Sequence, residues 1–319
     1  MTVASECKRY NVVLVGHGKM GQAYASAIQA HPRLQAVAVV GRSVESTDSF
    51  RASNGIPLGF SDVRLAYDTT HADAVIIAVP PSETAQILEA ARTKPWKCLV
   101  EKPAGQNLEE SGKLLDGFHT SPWPVSVGLN RRYYPHIQKI RKEIAESGGG
   151  VYIQARDQHT LGVEESLSAG ILFRKAIHMV DLFMFFSRGA VESCSSRLTR
   201  LAGTSFIIEA LIDFSCQTHV NYVSVINAPG RWEMSLHTYK ASWKLDPLEQ
   251  GWTIQEFPSK KVPMEVPTES VGGKPGITPL LDGLVEELDT GVSGLPSLAD
   301  SHKSMTLLSE IFLPLGWKR

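Results

Sequence analysis

The chain has 319 residues, of which 43% are hydrophobic and 20% charged, and this composition is typical of a folded protein with room for two domains. A formal net charge of -1 and the lack of a long basic segment argue against nucleic acid or a membrane surface as the main partner. We expect a cytoplasmic protein, because there is no signal peptide or apolar stretch of membrane-spanning length, and no disulfide or zinc spacing among Cys7, Cys98, Cys194 and Cys216.

In the first third of the chain, apolar strand segments alternate with helical segments. Strands are predicted at 12–15, 34–40, 74–79 and 98–100, and helices at 22–29, 83–91 and 108–118. Strands without polar alternation, separated by helices, are typical of a parallel sheet that is covered on both faces. Residues 1–124 are therefore predicted to form a doubly wound α/β domain of the Rossmann type.

The pattern changes in the rest of the chain. An amphipathic helix is predicted at 131–146, and alternating polar and apolar residues predict strands at 151–158, 206–215, 219–226 and 232–239. A helix is predicted at 177–186, and two more at 280–290 and 298–312 follow the Pro/Gly-rich stretch 272–279. Residues 125–319 thus form a predicted α+β domain with an open, mostly antiparallel sheet, whose C-terminal helix is expected to pack back on the first domain.

Three glycines in the segment "NVVLVGHGKMGQ" follow the first strand and fit the pattern G-x-G-x-x-G. Such glycines permit a tight turn, a close approach to a pyrophosphate and close packing of helix on strand. A turn with no ligand is the alternative, but the position between a strand and a helix favours dinucleotide binding. The predicted cofactor-binding residues are Gly16, His17, Gly18, Lys19, Met20 and Gly21, with Ala78, Val79 and Pro80 at the end of the third strand and Glu101 and Lys102 after the fourth.

The residues after the second strand indicate which dinucleotide is bound. NAD-binding domains usually carry an acidic residue there, which holds the ribose 2′-hydroxyl. This chain has Gly41, Arg42 and Ser43 instead. Arginine and serine suit a 2′-phosphate, so the pattern favours NADP(H) over NAD(H). A solvated arginine with no ligand is the alternative for Arg42.

Hydride transfer to or from a carbonyl carbon calls for a general acid or base near the nicotinamide, and lysine and histidine are common choices. The segment "CLVEKPAGQN" places Glu101, Lys102 and Pro103 at the carboxyl edge of the predicted sheet, where ligands bind in such folds. Lys102 is therefore a candidate for this role. Judged by position alone, a surface lysine with no role in catalysis is an equally good interpretation.

Several motifs together resemble the glucose-fructose oxidoreductase / inositol dehydrogenase (Gfo/Idh/MocA) family. They are "EKPAGQNLEE", "VGLNRRYYPHIQKIR", "AIHMVDLF" and "GLPSLADSHKSM", in this order. The resemblance implies a two-domain, nicotinamide-dependent oxidoreductase that acts on sugars, polyols or related small molecules. It implies that Lys102 hydrogen-bonds the reacting oxygen, that the peptide before Pro103 is often cis, and that His178 exchanges the proton. Asp181, on the same helix face, would orient His178 or bind a substrate hydroxyl.

Two positions depart from the family pattern. Arg174 stands where polyol-oxidising members carry an aspartate, four residues before the histidine, and Thr84 replaces a frequent histidine. We therefore expect Arg174, with Lys175 or Arg132, to meet an anionic group such as a carboxylate or a nucleotide-sugar diphosphate. An Arg174 that points to solvent is the alternative. Tyr133 completes the predicted substrate-binding set.

Other functions and properties stay open on the sequence alone. The departures leave room for an imine (C=N) reductase, and a non-catalytic dinucleotide sensor is a rival of another class. The remaining histidines show no ligand spacing, so no metal is predicted. The resemblance implies a homodimer or homotetramer that assembles through the C-terminal sheet.

Overall fold

The chain forms two compact units. The structure, a computed structural model, describes residues 8–119, 121, 123–161, 169–254, 261–264 and 274–316. Cys7 and residues 272–273 of the predicted Pro/Gly-rich stretch lie outside these ranges. The first unit runs to Asn130 and resumes over residues 274–301, and the second comprises the described residues from Arg131 to Met264 and from His302 onward. Across the described ranges, no helix combines the length and the apolar character needed to cross a membrane.

The first unit is built around a parallel sheet. Numbered along the whole chain, its elements are β1 (Tyr10–Val15), α1 (Lys19–Ala30), β2 (Leu34–Val40), α2 (Val44–Ser53), β3 (Leu58–Phe60), α3 (Val63–Thr70), β4 (Ala74–Ile77), α4 (Pro81–Ala91), β5 (Lys97–Val100), α5 (Leu108–Phe118), β6 (Val125–Val127) and α8 (Ile277–Thr290).

The strand order β3-β2-β1-β4-β5-β6 and the parallel pairing confirm the predicted Rossmann sheet. The apolar residues of β1 and β4 are buried, which explains why these strands lack polar alternation. Four short elements, α2, β3, α3 and β6, were not predicted. Because β6 pairs with β5, this unit extends beyond residue 124, where the predicted first domain ends, and it also includes α8, which packs against α1.

The second unit combines one large sheet with helices. Its elements are a short 3-10 helix that starts in the first unit (Asn130–Tyr133), α6 (Pro135–Ser147), β7 (Val151–His159), α7 (Ala169–Ser187), β8 (Val191–Ala202), β9 (Ser205–Phe214), β10 (Thr218–Ile226), β11 (Glu233–His237), β12 (Ser242–Leu245), β13 (Gly251–Ile254), β14 (Lys261–Pro263), α9 (Leu298–Ile311, its first residues counted with the first unit) and a second 3-10 turn (Leu313–Leu315).

Eight strands form the second sheet in the order β14-β13-β12-β11-β7-β10-β9-β8. The pairing is antiparallel except between β7 and β10, which run parallel, so the predicted mostly antiparallel sheet is confirmed. The strands β8, β12, β13 and β14 were not predicted. The predicted helix at 131–146 begins only at Pro135, because proline suits the first turn of a helix. The helix predicted at 177–186 is longer and covers Ala169–Ser187.

Candidate functional site

The glycine turn in the first unit is folded tightly between β1, β4 and α1. Gly16 has a positive φ of 95°, and a Cβ there would collide with the carbonyl oxygen of Ala78. A Cβ on Gly21 would in turn collide with the carbonyl oxygen of Gly16. The Gly16 N–H donates to Val40 at 2.9 Å, which ties the turn to the end of β2. Glycine is therefore required at both positions for the strand and the helix to approach this closely.

The N-terminus of α1 is open toward this turn. Gly18 is its N-cap, no side chain hydrogen-bonds to the cap, and the first turn has no acidic residue. A Cβ on Gly18 would meet no atom within 4 Å. Uncapped N–H groups at a helix start bind anions, and the missing Cβ leaves room for a ligand close to the backbone. These features fit the diphosphate of a dinucleotide.

A cleft of about 540 Å³ extends from this turn along the carboxyl edge of the sheet. It is lined by the glycine turn, the end of β2, the start of α3 and the segment after β4. Of the predicted cofactor-binding residues, the structure places these along the cleft: Gly16, His17, Gly18, Arg42, Ala78, Val79 and Pro80. Lys19 and Met20 lie in the first turn of α1, Gly21 packs under the glycine turn, and Ser43 caps α2.

The end of β2 carries the groups that were predicted to distinguish NADP(H) from NAD(H). The Ser43 side chain accepts a hydrogen bond from the Ser46 N–H at 3.3 Å, so it serves as the N-cap of α2. The side chain of Arg42 is 86% exposed, and its Nη1 lies 3.1 Å from Oε1 of Glu83. Exposed pairs of this kind contribute little, so the guanidinium is available to a more highly charged anion.

The start of α3 contributes a second arginine to the cleft, which the sequence reasoning missed. Asp62 is the N-cap of α3, and it accepts from the N–H of Arg64 at 2.7 Å and from Nη2 of Arg64 at 3.0 Å. The hydrogen bond from the side chain of Arg64 is the main reason why the pKa of Asp62 is lowered to about 2. The segment "SDVR", an aspartate cap followed by an arginine in the first turn, was the available signal.

The segment after β5 holds Glu101 and Lys102, which are both half-buried. The hydroxyl of the buried Tyr24 donates to Oε1 of Glu101 at 2.7 Å. Burial raises the pKa of Glu101, while the charge of Lys102 and the bond from Tyr24 act in the opposite direction. The Lys102–Pro103 peptide is cis, as the family resemblance implies. The ammonium of Lys102 therefore stands beside a carboxylate at the carboxyl edge of the sheet.

A further lysine near the glycine turn was not predicted. The Nζ of Lys274 lies 2.8 Å from the sulfur of Met20, and its charge also lowers the pKa of Glu101. Lys274 thus adds positive charge near the start of α1. It lies in the Pro/Gly-rich stretch, and only the tertiary fold brings it here, since 254 residues separate it from Met20.

In the second unit, α7 carries the predicted proton-transfer histidine. Arg174 is exposed, His178 is half-buried and Asp181 is buried, all on this helix. Asp181 accepts two bonds from Arg132, from Nε at 2.8 Å and from Nη2 at 2.6 Å. It also accepts a bond from the Ser304 hydroxyl at 3.3 Å. The carboxylate of Asp181 is thus paired with a cation that was itself predicted to bind substrate.

The other predicted substrate residues take separate positions. Tyr133 is half-buried in the 3-10 helix before α6. Lys175, proposed with Arg174 as an anion partner, donates to the carbonyl oxygen of Thr160 at 2.6 Å. Arg132 and Lys175 therefore hold bonds within the second unit. Arg174 lies on α7 with an exposed side chain.

A buried polar cluster on β7 and β10 was missed. Asp157 is fully buried, its Oδ2 accepts from the Tyr222 hydroxyl at 2.6 Å, and the same oxygen lies 3.0 Å from Nε2 of His159. Burial and the Asp157 carboxylate raise the pKa of Tyr222 well above its ordinary value. The alternation along β7 places Asp157 and His159 on its inward face with Ile153, so the signal was present in the predicted strand.

A metal site finds no support in the described ranges, where His, Cys, Asp and Glu form no group of three or more that could hold an ion. The described cysteines, Cys98, Cys194 and Cys216, are free thiols.

Comparison with known proteins relates the first unit to an oxidoreductase family. Residues 10–129 match the family model of an oxidoreductase family with an NAD-binding Rossmann fold. The oxidoreductase YrbE of Bacillus subtilis, itself uncharacterised, is 26% identical over 199 residues, covering 60% of this chain and 58% of that protein. An inositol 2-dehydrogenase of Rhizobium meliloti is 27% identical over 178 residues, covering 54% of this chain and 53% of that enzyme. The chain thus spans little more than half the length of these relatives.

Solved structures share the fold over almost the whole chain. A UDP-N-acetylglucosamine 3-dehydrogenase, GnnA of Acidithiobacillus ferrooxidans, superposes with a TM-score of 0.81 at 16% identity. The match covers 96% of this chain and 98% of that one. At this identity the similarity shows the fold.

Proposed function

We propose that this chain, whose residues 10–129 match the model of an oxidoreductase family with an NAD-binding Rossmann fold, transfers a hydride between NADP(H) and a sugar-like alcohol or carbonyl compound. The observation that carries the proposal is the uncapped start of α1 behind the glycine turn, which opens into a cleft at the carboxyl edge of the sheet. This arrangement fits a dinucleotide diphosphate, and the family supplies the reaction type.

The preference for NADP(H) rests on the end of β2. Gly41 leaves no carboxylate that would hold a ribose 2′-hydroxyl and repel a 2′-phosphate. Arg42 lines the cleft, and its exposed pairing with Glu83 is weak enough for a phosphate dianion to compete. Arg64 adds a second guanidinium to the same cleft. NAD(H) is the alternative dinucleotide.

The chain's own residues supply the acid–base chemistry of the proposal. A bound nicotinamide gives or takes the hydride. Lys102 hydrogen-bonds the reacting oxygen and stabilises its negative charge, and the neighbouring Glu101 carboxylate favours the charged ammonium. His178 supplies or removes the proton of that oxygen. Asp181 holds its face of α7 in position through Arg132 and Ser304, which makes it a positioning residue in this scheme.

For the substrate we propose a sugar-like molecule with an anionic group. The support is Arg174, an exposed arginine one helical turn from His178, at a place where polyol-oxidising relatives carry an aspartate. A carboxylate or a diphosphate would accept a bidentate pair from its guanidinium. The inositol 2-dehydrogenase relative acts on a neutral polyol, as its name states, so the charge of the substrate is the property in which this chain would differ.

The proposal is tested by separating binding from turnover. We expect NADPH to bind at least about tenfold more tightly than NADH, since a charge-assisted bond pair is worth about 1.5–3 kcal/mol. Turnover of a panel of neutral sugars, sugar acids and nucleotide-linked sugars is then followed by nicotinamide absorbance. Lys102→Met should lower kcat about 10²–10⁴-fold, and the Kd for NADPH should change little. His178→Asn should behave in the same way.

Each contrary result has a defined meaning. Undiminished turnover in Lys102→Met would exclude the assigned role of this lysine. Tight dinucleotide binding without turnover across the panel would favour a sensor, whereas reduction confined to C=N compounds would favour an imine reductase. Failure of the wild-type protein to bind either dinucleotide would refute the proposal as a whole.

We further propose that the protein works in the cytoplasm as a homodimer or homotetramer. The family resemblance is the ground for the assembly, and the second sheet has large apolar side chains at its surface, namely Tyr152 on β7 and Leu211 on β9. The reduced thiols support the location.

A further inference from the structure

We propose that His17 and Gly41 act as one steric unit that sets the dinucleotide preference, with the His17 imidazole filling the space that a side chain at position 41 would need. The selectivity part of this inference rests on the proposed function, whereas the steric part does not. It makes His17 a specificity-determining residue rather than only a member of the glycine turn.

The geometry at position 41 excludes a side chain while the imidazole is in place. A Cβ built on Gly41 would lie 2.5 Å from Cδ2 and 2.6 Å from Nε2 of His17, and it would also collide with Oγ1 of Thr47. The backbone of Gly41 is not left-handed, so conformation does not require glycine here. Its N–H donates to Phe60 at 3.0 Å, which fixes the backbone against β3. Lack of space is therefore the reason for glycine at this position.

The imidazole is held in its place by the first turns of α2. The Ser46 hydroxyl donates to the carbonyl oxygen of Ser43 at 3.3 Å and lies 3.2 Å from Nε2 of His17. The contact with Nε2 is a hydrogen bond in either tautomer of the imidazole, because a hydroxyl can donate or accept. The ring also packs against Phe50, with 6.0 Å between the ring centroids. Rotation of the imidazole away from Gly41 would break these contacts.

Thr47 is the other neighbour of position 41. It is buried, and its Oγ1, which would lie 2.4 Å from a Cβ at position 41, has no hydrogen-bond partner among the described residues. The Thr47 hydroxyl can therefore turn away about χ1 without breaking a hydrogen bond, whereas the imidazole is held by Ser46 and Phe50. A new side chain at this position must therefore displace the imidazole, which is the half-buried neighbour and borders the cleft.

This arrangement has a consequence for the choice of dinucleotide. Position 41 is where a carboxylate would stand to bind the ribose 2′-hydroxyl of NAD. With the imidazole in that space, Gly41→Asp alone cannot place its carboxylate there. We therefore infer that the preference changes only when His17 is made small at the same time.

The test is a double-mutant cycle of His17→Ala and Gly41→Asp, with Kd values for NADPH and NADH measured by calorimetry on the 319-residue chain. Gly41→Asp alone should weaken NADPH binding without improving NADH binding. The double variant should bind NADH at least about tenfold more tightly than Gly41→Asp alone, since substitutions at contacting residues have coupling free energies of about this size. Equal NADH affinity of the two variants would overturn the inference.

A second cycle needs no ligand and isolates the steric contact. Gly41→Ala should lower the thermal unfolding midpoint by about 3 °C or more, as overpacking does. In the His17→Ala background the same change should lower it much less. Gly294→Ala is the matched control, because a Cβ there meets nothing within 4 Å, and its effect should not depend on His17. Additive effects of His17→Ala and Gly41→Ala would overturn the steric unit.

The two proposals fail in different ways. A wild-type protein that binds neither dinucleotide contradicts the proposed function, and the unfolding cycle still decides the steric contact. A wild-type protein that binds a dinucleotide, with additive effects in both cycles, contradicts the His17–Gly41 unit alone.

Discussion

The pair formed by Arg132 and Asp181 shows how a single residue can change its expected role once its partner is known. Asp181 is 1% exposed and takes two hydrogen bonds from the guanidinium, whose side chain is 12% exposed. A buried carboxylate held by such a charge-assisted bond pair is fixed in position by its partner. In our scheme the pair therefore orients α7, and His178 is left as the proton-transfer group.

Breaking this pair from one side should be costly. Arg132→Met would leave the Asp181 charge buried without its main partner, so we expect a loss of about 3–5 kcal/mol in the free energy of unfolding, measured with urea. The double change Arg132→Met and Asp181→Leu should recover most of this loss, because replacing both charges is often neutral.

A matched control for this prediction is present in the same unit. Arg156 pairs with Glu233 at 3.4 Å, but its side chain is 51% exposed. Arg156→Met should therefore change the stability by less than about 1 kcal/mol. Similar changes in the free energy of unfolding for the Arg132 and Arg156 substitutions would show that the buried pair stabilises the fold no more than the exposed one.

Residue types and spacing predicted the candidate residues, but not their partners. The glycine pattern and the end of β2 identified Gly16, Gly18 and Arg42, which the structure places along one cleft. Spacing on α7 suggested that Asp181 serves His178, whereas its bonds to Arg132 span 49 residues of sequence. Contacts over such separations depend on the tertiary fold, which local patterns do not encode.

At the level of elements, segments with a clear apolar pattern were predicted, and elements that are short or mostly exposed, such as the 12-residue β8, were missed. The bounds of β2 and α5 agree with the structure at both ends. By contrast, α2 buries only Thr47 and β3 has three residues, of which two are exposed. Such elements form by pairing with or packing on one side of their neighbours, and they lack the apolar repeat from which a prediction could be made.

A cluster of polar side chains around Asp289 connects the helix α8 to the start of β1. This carboxylate accepts bonds from Nη1 and Nη2 of Arg33 at 2.6 and 2.7 Å, and from the Tyr10 hydroxyl at 2.7 Å. The bonds from Arg33, followed by the one from Tyr10, lower the pKa of Asp289 to about 2. Because the pKa is lower in the folded state, the ionised form stabilises the fold.

This attachment should depend on pH. The contribution of Asp289 is fully present above the unfolded-state pKa of about 3.9, and it should be lost as the pH falls toward about 2. Thermal unfolding of the wild type and of Asp289→Asn at a series of pH values should show a difference that shrinks between about pH 4 and pH 2. In an Arg33→Met background this pH dependence should be weaker. A difference that grows as the pH falls would contradict the assignment.

For the whole molecule, the class of each sheet was predictable and the strand order of the second sheet was not. Unbroken apolar strands separated by helices have few solutions besides a doubly wound parallel sheet, and the strand order confirms this sheet. In the second unit, alternation identified β7 and β10 as strands, but it did not predict that they pair in parallel at the centre of the sheet. That pairing joins residues more than 60 positions apart and depends on the crossover between them.

Ligand-linked stability tests the dinucleotide site on the intact chain. A dinucleotide that binds only the folded protein adds about 2.7 kcal/mol at a concentration of 100 times its Kd. NADPH should therefore raise the midpoint of a calorimetric unfolding transition by several degrees, about 2–4 °C for each kcal/mol in a domain of this size. Arg42→Ala should reduce the rise with NADPH and leave the rise with NADH unchanged, because Arg42 is assigned to the 2′-phosphate alone. An equal reduction for both dinucleotides would instead place Arg42 at a part of the ligand that they share.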